Sequence, residues 1–412
     1  PGNRENAMKF VPFSSFDSDV PEDLWLWLEE TSNRANTDFV AIPHNPNLSG
    51  GRMFDEVDRD GRPITAAYAR MRMRWEPVVE VTQIKGDSET HPALSPDDEF
   101  ADFETYSQLL KVGGGEAAPG EGDTVRSALL RGLQIEEKAG DNPYKVGMVG
   151  STDSHTGLSS AEEFNFWGKF AGDSTPGSKL APIAADAKGS DMSASGLAAV
   201  WAEENTRASI FAAFKRKEVY ATTGPRIRMR FFGGWIFKEK NAKSPKMVPI
   251  GYVNGHPMGS DLTRGPDGEA PKFLMYAVKD PKGANLDRLQ IVKGWTDAQG
   301  QAHEKVYDVA LAGMRQYDAE GRPTPITSTV DPRTGKYLNI FGAPSLTAFW
   351  EDPEFDPKLR AFYYLRVLQV PTPRHTLQDA VALGIDPEET GHPAAIQERA
   401  YSSPIWYTPH DE

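Results

Sequence analysis

The sequence contains no cysteine, which excludes disulfides, thiolate zinc sites and thiol nucleophiles. Histidine, aspartate and glutamate are then the strong metal ligands left, and histidine is scarce at 8 residues. No run of about 18 apolar residues occurs, so no segment reads as a membrane span. The sequence given carries no signal peptide either. Positive charge is in deficit: 45 Lys and Arg stand against 59 Asp and Glu, a formal net charge of −14. Nucleic acid and anionic membranes reward the opposite balance, so neither is expected as a main partner. A small anionic substrate stays open, because a bound metal cluster reverses the local field whatever the global charge.

What is present is the composition of an ordinary globular protein: 412 residues, 39% hydrophobic, 25% charged and 10% aromatic. That length allows two domains, a larger α/β one and a smaller β one. Because the first residue is Pro1 rather than Met, the natural amino terminus is expected upstream. Asp17-Ser18-Asp19-Val20-Pro21-Glu22-Asp23 reads as a helix start, with Leu24, Trp25 and Leu28 on the apolar face up to about Asn36. A strand is expected over 38–43, a helix over about 65–73 and a strand over 77–83. A further helix runs through Tyr106, Leu109 and Leu110, and the Gly-, Ala- and Glu-rich 112–122 reads as a flexible loop. Asp123 is the expected cap of a long helix carrying Val125, Leu129, Leu130, Leu133 and Ile135, and a strand at 146–150 follows. Strands alternating with helices imply a parallel sheet or barrel, with its site at the strand carboxyl ends.

Residues 166–199 are small and polar, a candidate lid. A helix over 205–217 places Ile210, Phe211 and Phe214 inward. Beyond Arg226 the pattern changes to alternation at 227–232, 273–278 and 289–292, with a turn at Asp280-Pro281-Lys282-Gly283. The expected architecture is thus an α/β part over 1–226 followed by an antiparallel β-sandwich-like domain over 227–412. Residues 361–370 form the longest strand candidate.

Chemistry concentrates at two strand ends. The run 146–150 empties into Ser151-Thr152-Asp153-Ser154-His155, where Asp153 and His155, two apart on an extended segment, point to one side. A carboxylate and an imidazole converging there suit a divalent cation of the zinc, manganese or iron kind. The strand over 38–43 ends on His44, the position at which α/β folds place active-site groups. After the strand 77–83, which bears Glu80, come Lys85, Glu89 and His91. Lys85 suits a substrate anion and His91 a ligand or general acid. Arg226, after Thr222-Thr223-Gly224-Pro225, and Arg52, beside Gly50-Gly51, are candidate anion contacts. His256, His303, His375, His392 and His410 read as structural or exposed. No phosphate loop, nucleophile elbow or basic field is present.

Several blocks together resemble the bacterial DUF3604 family. They are Ala41-Ile42-Pro43-His44-Asn45, Gln83-Ile84-Lys85-Gly86-Asp87-Ser88-Glu89-Thr90-His91-Pro92, Gly150-Ser151-Thr152-Asp153-Ser154-His155, Tyr220-Ala221-Thr222-Thr223-Gly224-Pro225-Arg226 and Glu398-Arg399-Ala400-Tyr401-Ser402-Ser403-Pro404-Ile405-Trp406-Tyr407. That family is similar to the PHP (polymerase and histidinol phosphatase) superfamily of distorted β/α barrels, which bind two or three metal ions and in many cases hydrolyse phosphoesters. The resemblance implies that His44 is a late strand-end metal ligand, that Asp153 and His155 form the terminal ligand pair, and that Lys85 and Glu89 belong to a functional block. It also implies that early barrel strands and ligands come from a missing upstream segment or a second chain, or else that the ligand set is degenerate. The function expected is a metal-dependent hydrolase of phosphoester-type bonds. Sulfate ester, amide or carboxylic ester hydrolysis and a non-catalytic binding role for the β-sandwich are the alternatives. The resemblance and the absence of cysteine point to a periplasmic or secreted address.

Overall fold

The computed structural model describes residues 4–106, 119–184, 187–262, 264–319 and 322–409. The expected helical residues Leu109 and Leu110, most of the loop 112–122, and His410 lie outside the described residues.

Pro21, with the acids Glu22 and Asp23, opens the helix Pro21–Ala35, which stops at Asn36 in the left-handed region. Its Trp25 and Leu28 pack on Trp75, the last residue of a second helix, Ala66–Trp75, capped by the Thr65 hydroxyl. Residues 38–43, expected as a strand, run alongside but join no ladder. Ala41 donates its N–H to the Trp75 carbonyl (2.8 Å), and the Pro43 carbonyl accepts the Glu80 N–H (3.0 Å). Pro43 and Pro46 have no N–H to give and Asn45 turns left-handed (φ 55°), so regular pairing ends there.

Strand β1 (Val78–Gln83) is buried along its whole length, as its apolar run requires. It turns back into the short β2 (Gly86–Asp87) and pairs in parallel with β3 (Gly147–Gly150). The crossover between β1 and β3 contains the helix Val125–Ala139, whose cap is Thr124 rather than the expected Asp123. Asp123 instead fixes a neighbouring loop: its carboxylate accepts the Ser49 hydroxyl (3.0 Å), the Gly51 N–H (2.5 Å) and the Gly120 N–H (2.8 Å).

The chain then becomes predominantly antiparallel. In order come β4 (Leu197–Val200), β5 (Val219–Thr222), β6 (Arg228–Gly234), β7 (Lys272–Val278), β8 (Leu286–Thr296), β9 (Ala302–Leu311), β10 (Ser345–Glu351), β11 (Ala361–Gln369), β12 (Arg399–Ser402) and β13 (Ile405–Tyr407). One sheet carries β13, β11, β12, β5 and β4 side by side, with β8 also on β11 and β9 on β8; another carries β10, β7 and β6. Phe231, Phe273 and Met275 of the smaller sheet share one core with Leu289, Ile291, Tyr363 and Leu365 of the larger, the arrangement of two layered sheets. Among the described residues the longest strand is β8, at 11 residues, rather than the expected 361–370.

The PHP-type barrel expected from the resemblance is not shown. Among the described residues the parallel ladder of this part consists of β1 and β3. The end of β3 abuts β4 and β5 so closely that a Cβ on Gly150 would stand 2.9 Å from the Leu197 carbonyl oxygen and 3.0 Å from that of Thr222. Among the described residues no helix is long and apolar enough to cross a membrane.

Candidate active site

The carboxyl ends of β1 and β3 deliver side chains to one place. Past β1, the Gln83 Oε1 accepts the Lys85 N–H (2.8 Å), and the Asn47 amide donates to the Lys85 carbonyl (3.0 Å). The loop that carries His44 is thereby tied to the backbone of Lys85. Past β3, Ser151 donates its N–H to the Thr82 carbonyl (3.1 Å), and Asp153 takes a left-handed conformation (φ 48°). The His155 N–H reaches the Lys169 carbonyl (2.8 Å).

Asp153 is the hub. Its Oδ2 accepts from the Lys85 ammonium and from the Lys169 ammonium at 3.0 Å, while the Lys169 Nζ also donates to the Asp153 carbonyl (2.8 Å). The His155 Nε2 stands 3.2 Å from Asp153 Oδ1 and 3.3 Å from the Lys169 Nζ. Burial alone would raise the Asp153 pKa, but the hydrogen bonds from Lys85 and Lys169 hold it at about 2. His44 lies within the field of the same charges; partial burial holds its imidazole below the usual value, against the Asp153 charge. Burial likewise lowers Lys169, and the neighbouring Lys85 adds to the effect.

Glu80 joins them from β1. Burial pushes its carboxyl up to about 7, and the Asp153 charge adds to the rise. Its Oε2 accepts the Ser151 hydroxyl, whereas its Oε1 is buried with no hydrogen-bond partner, as is the Asn45 Oδ1. Two ammonium groups facing one firmly ionised carboxylate leave the cluster net positive, a field suited to an anion.

Other expected residues fall elsewhere. Glu89 is fully buried between Arg126 and Arg366, the latter 3.1 Å away, and also accepts the Tyr364 hydroxyl. His91 accepts the Ala93 N–H (3.1 Å), and burial lowers its pKa. Arg52 is exposed and bonds the Ser49 carbonyl (3.1 Å). Arg226 pairs with Glu162 at 3.3 Å, with its side chain 66% exposed. Neither arginine shares a hydrogen bond with Asp153, His155, Lys85 or Lys169 among the described residues. His375 is buried against the Met192 carbonyl (2.7 Å), and His303 and His392 pair with Asp297 and Asp191. Lys169 and Ser151 escaped the sequence reading. Lys169 lies in the irregular stretch 166–199, where no periodicity indicates which way a side chain faces.

The residues fit a divalent cation in part. Asp153 and His155 present oxygen and nitrogen donors side by side, and the orphaned Glu80 Oε1 is an acceptor that a cation would satisfy. Among the described residues, however, no three His, Asp or Glu side chains close on a single ion. The family model described as "Protein of unknown function (DUF3604)" matches residues 1–409. No curated protein and no solved structure matches the chain.

Proposed function

Starting from the fact that the chain belongs to the DUF3604 family, whose description assigns no activity, we propose that it is a metal-dependent hydrolase of phosphoester-type bonds, PHP-like in its metal centre. One observation carries this reading: Asp153 and His155, 3.2 Å apart, stand at a strand end in contact with two lysine ammonium groups. Cation donors and anion donors thus adjoin, as hydrolysis of a charged ester requires.

Asp153 and His155 would hold manganese, zinc or iron, with His44 and groups from outside the described residues closing round the ion to complete the set. Bound there, the ion would supply a water acidic enough to ionise near neutral pH and would offset charge on the ester oxygens. Lys85 and Lys169 bind and orient the ester's free oxygens; to do so, Lys85 exchanges its bond to Asp153 for one to the substrate. Glu80, ionising at about 7, holds a proton available to a leaving oxygen around neutrality. His44, kept below the usual imidazole value, stays neutral and open to a cation.

In the complete protein, His44→Ala and Asp153→Asn should each lower Mn²⁺- or Zn²⁺-dependent turnover of an aryl phosphate at least a hundredfold and reduce metal content. Normal turnover by His44→Ala would sink the assignment. Parallel assays on sulfate, carboxylic ester and amide substrates identify the bond, since an ionised water attacks each. A complete protein that holds no metal and gains none on dialysis would instead be a binding protein.

A further inference from the structure

Beside the ionic cluster stands an aromatic ring that no part of the core needs. Phe170 is 41% exposed, yet it is held in place. Its ring meets the His155 imidazole edge to face, centroids 5.2 Å apart at 84°, and the Lys169 ammonium lies 5.7 Å from its centre. The backbone beneath it is knotted. Asp173, wholly buried, accepts the Lys169 N–H (3.0 Å) and the Phe170 N–H (2.6 Å). Gly168 (φ 71°) runs so close that a Cβ there would stand 2.2 Å from the Asp173 carbonyl oxygen, so the turn admits only glycine. Phe166, four residues earlier, goes instead into the core against His375. A single exposed phenylalanine is ordinary on a protein surface. One fixed by a buried carboxylate at the rim of a cationic site is a wall.

We propose that Phe170, positioned with Lys169 by Asp173, forms a subsite for an aromatic ring carried by the leaving group of the anionic ester. This deepens the reading of the site as an ester hydrolase and rests on its anion-binding part. An aryl ring stacked or tilted on Phe170 gains a ring–ring contact and lies within reach of the Lys169 charge over its face. An alkyl group gains neither.

The test is binding, separate from turnover. Phenylphosphonate and methylphosphonate, inert to hydrolysis, are titrated calorimetrically into the complete protein with and without Mn²⁺. Phenylphosphonate should bind about 3- to 10-fold more tightly. In Phe170→Ala the ratio of the two affinities should fall to about 1, and in Phe170→Trp it should persist. Asp173→Asn, which weakens the knot, should lower the ratio with Phe170 intact. Equal affinities in the native protein, binding of neither ligand, or a ratio unchanged in Phe170→Ala would overturn the inference. A ring preference without turnover of phenyl phosphate leaves the subsite standing and removes the hydrolase, whereas turnover without ring preference does the reverse.

Discussion

At Asp153 two physical demands oppose each other. Partial burial favours the neutral acid, and two ammonium groups favour the anion and win, holding the carboxyl at about 2. Removing one donor should reverse part of that balance. In Lys169→Met the Asp153 pKa is expected to rise towards its ordinary value, visible by carboxyl-detected NMR titration. Phosphate affinity should also fall by about tenfold or more, the cost of losing a charge-assisted hydrogen bond. An unchanged Asp153 titration would show that Lys85 alone controls the carboxylate. The sequence marked His44, Asp153, His155 and Lys85 as candidates because each follows a strand-like run, and the structure brings Asp153, His155 and Lys85 of these into one cluster. It did not reveal what Glu89 does. The partners of Glu89, Arg126 and Arg366, lie 37 and 277 positions away, and no local pattern announces an ion pair across such separations. Lys169 was hidden for a related reason: its segment is set by the buried Asp173 and by the His155 N–H on the Lys169 carbonyl, contacts that no local pattern announces.

Among the elements, those with strong apolar periodicity were readable and those defined by their partners were not. The alternation at 273–278 matches β7 (Lys272–Val278), and the helix Pro21–Ala35 begins at its proline. The stretch 38–43 has the composition of a buried strand, but two prolines and a left-handed Asn45 leave it with isolated bonds to Trp75 and Glu80 instead of a ladder. Nor does sequence show that β3, four residues long, is followed in space by antiparallel β4 and β5. That junction makes Gly150 a test of element packing. A methyl group there meets backbone at 2.9–3.0 Å on both β4 and β5, and neither neighbour is the yielding end of a flexible side chain. Gly150→Ala should therefore lower stability by about 1–3 kcal/mol, the usual cost of overpacking a core. Urea unfolding should show a lower midpoint at unchanged slope. Because Ser151 and Asp153 follow directly, phosphate binding should weaken in the same variant.

At the scale of the whole molecule, buried charge ties the helix Val125–Ala139 to the larger sheet and makes stability depend on pH. Arg126, on the helix Val125–Ala139, and Arg366, on β11, both bond Glu89 and Asp98. That helix is thus bound to the larger sheet through one ionic knot. Burial opposes ionisation of both acids, but the two guanidinium groups hold Glu89 and Asp98 below the usual carboxylate range. Acids with depressed values stabilise the fold above their ordinary pKa, near 4, and lose that contribution as pH falls. Asp87 behaves oppositely. Burial, then repulsion from the ionised Glu89, pushes it up to about 7. A raised acid stabilises the fold most below its ordinary value of 3.8, and that contribution is lost as pH climbs to about 7. Glu80, raised by burial to about 7, acts in the same direction, as does Glu163, which burial and the Glu104 charge push up. Stability to urea should therefore be greatest at about pH 4 and decline steadily as pH rises to about 7.5, with a separate loss at lower pH. Asp87→Asn keeps an oxygen for the Glu89 N–H, which Asp87 now accepts at 2.8 Å, while removing the titrating proton. Comparing urea midpoints at pH 5 and pH 7.5, the native protein should lose up to about 3 kcal/mol more than this variant, the order expected for one buried acid shifted by two to three units. Equal losses in the two proteins would mean that Asp87 is ionised in the folded state. The knot around Glu89 would then not dictate the charge of its neighbour.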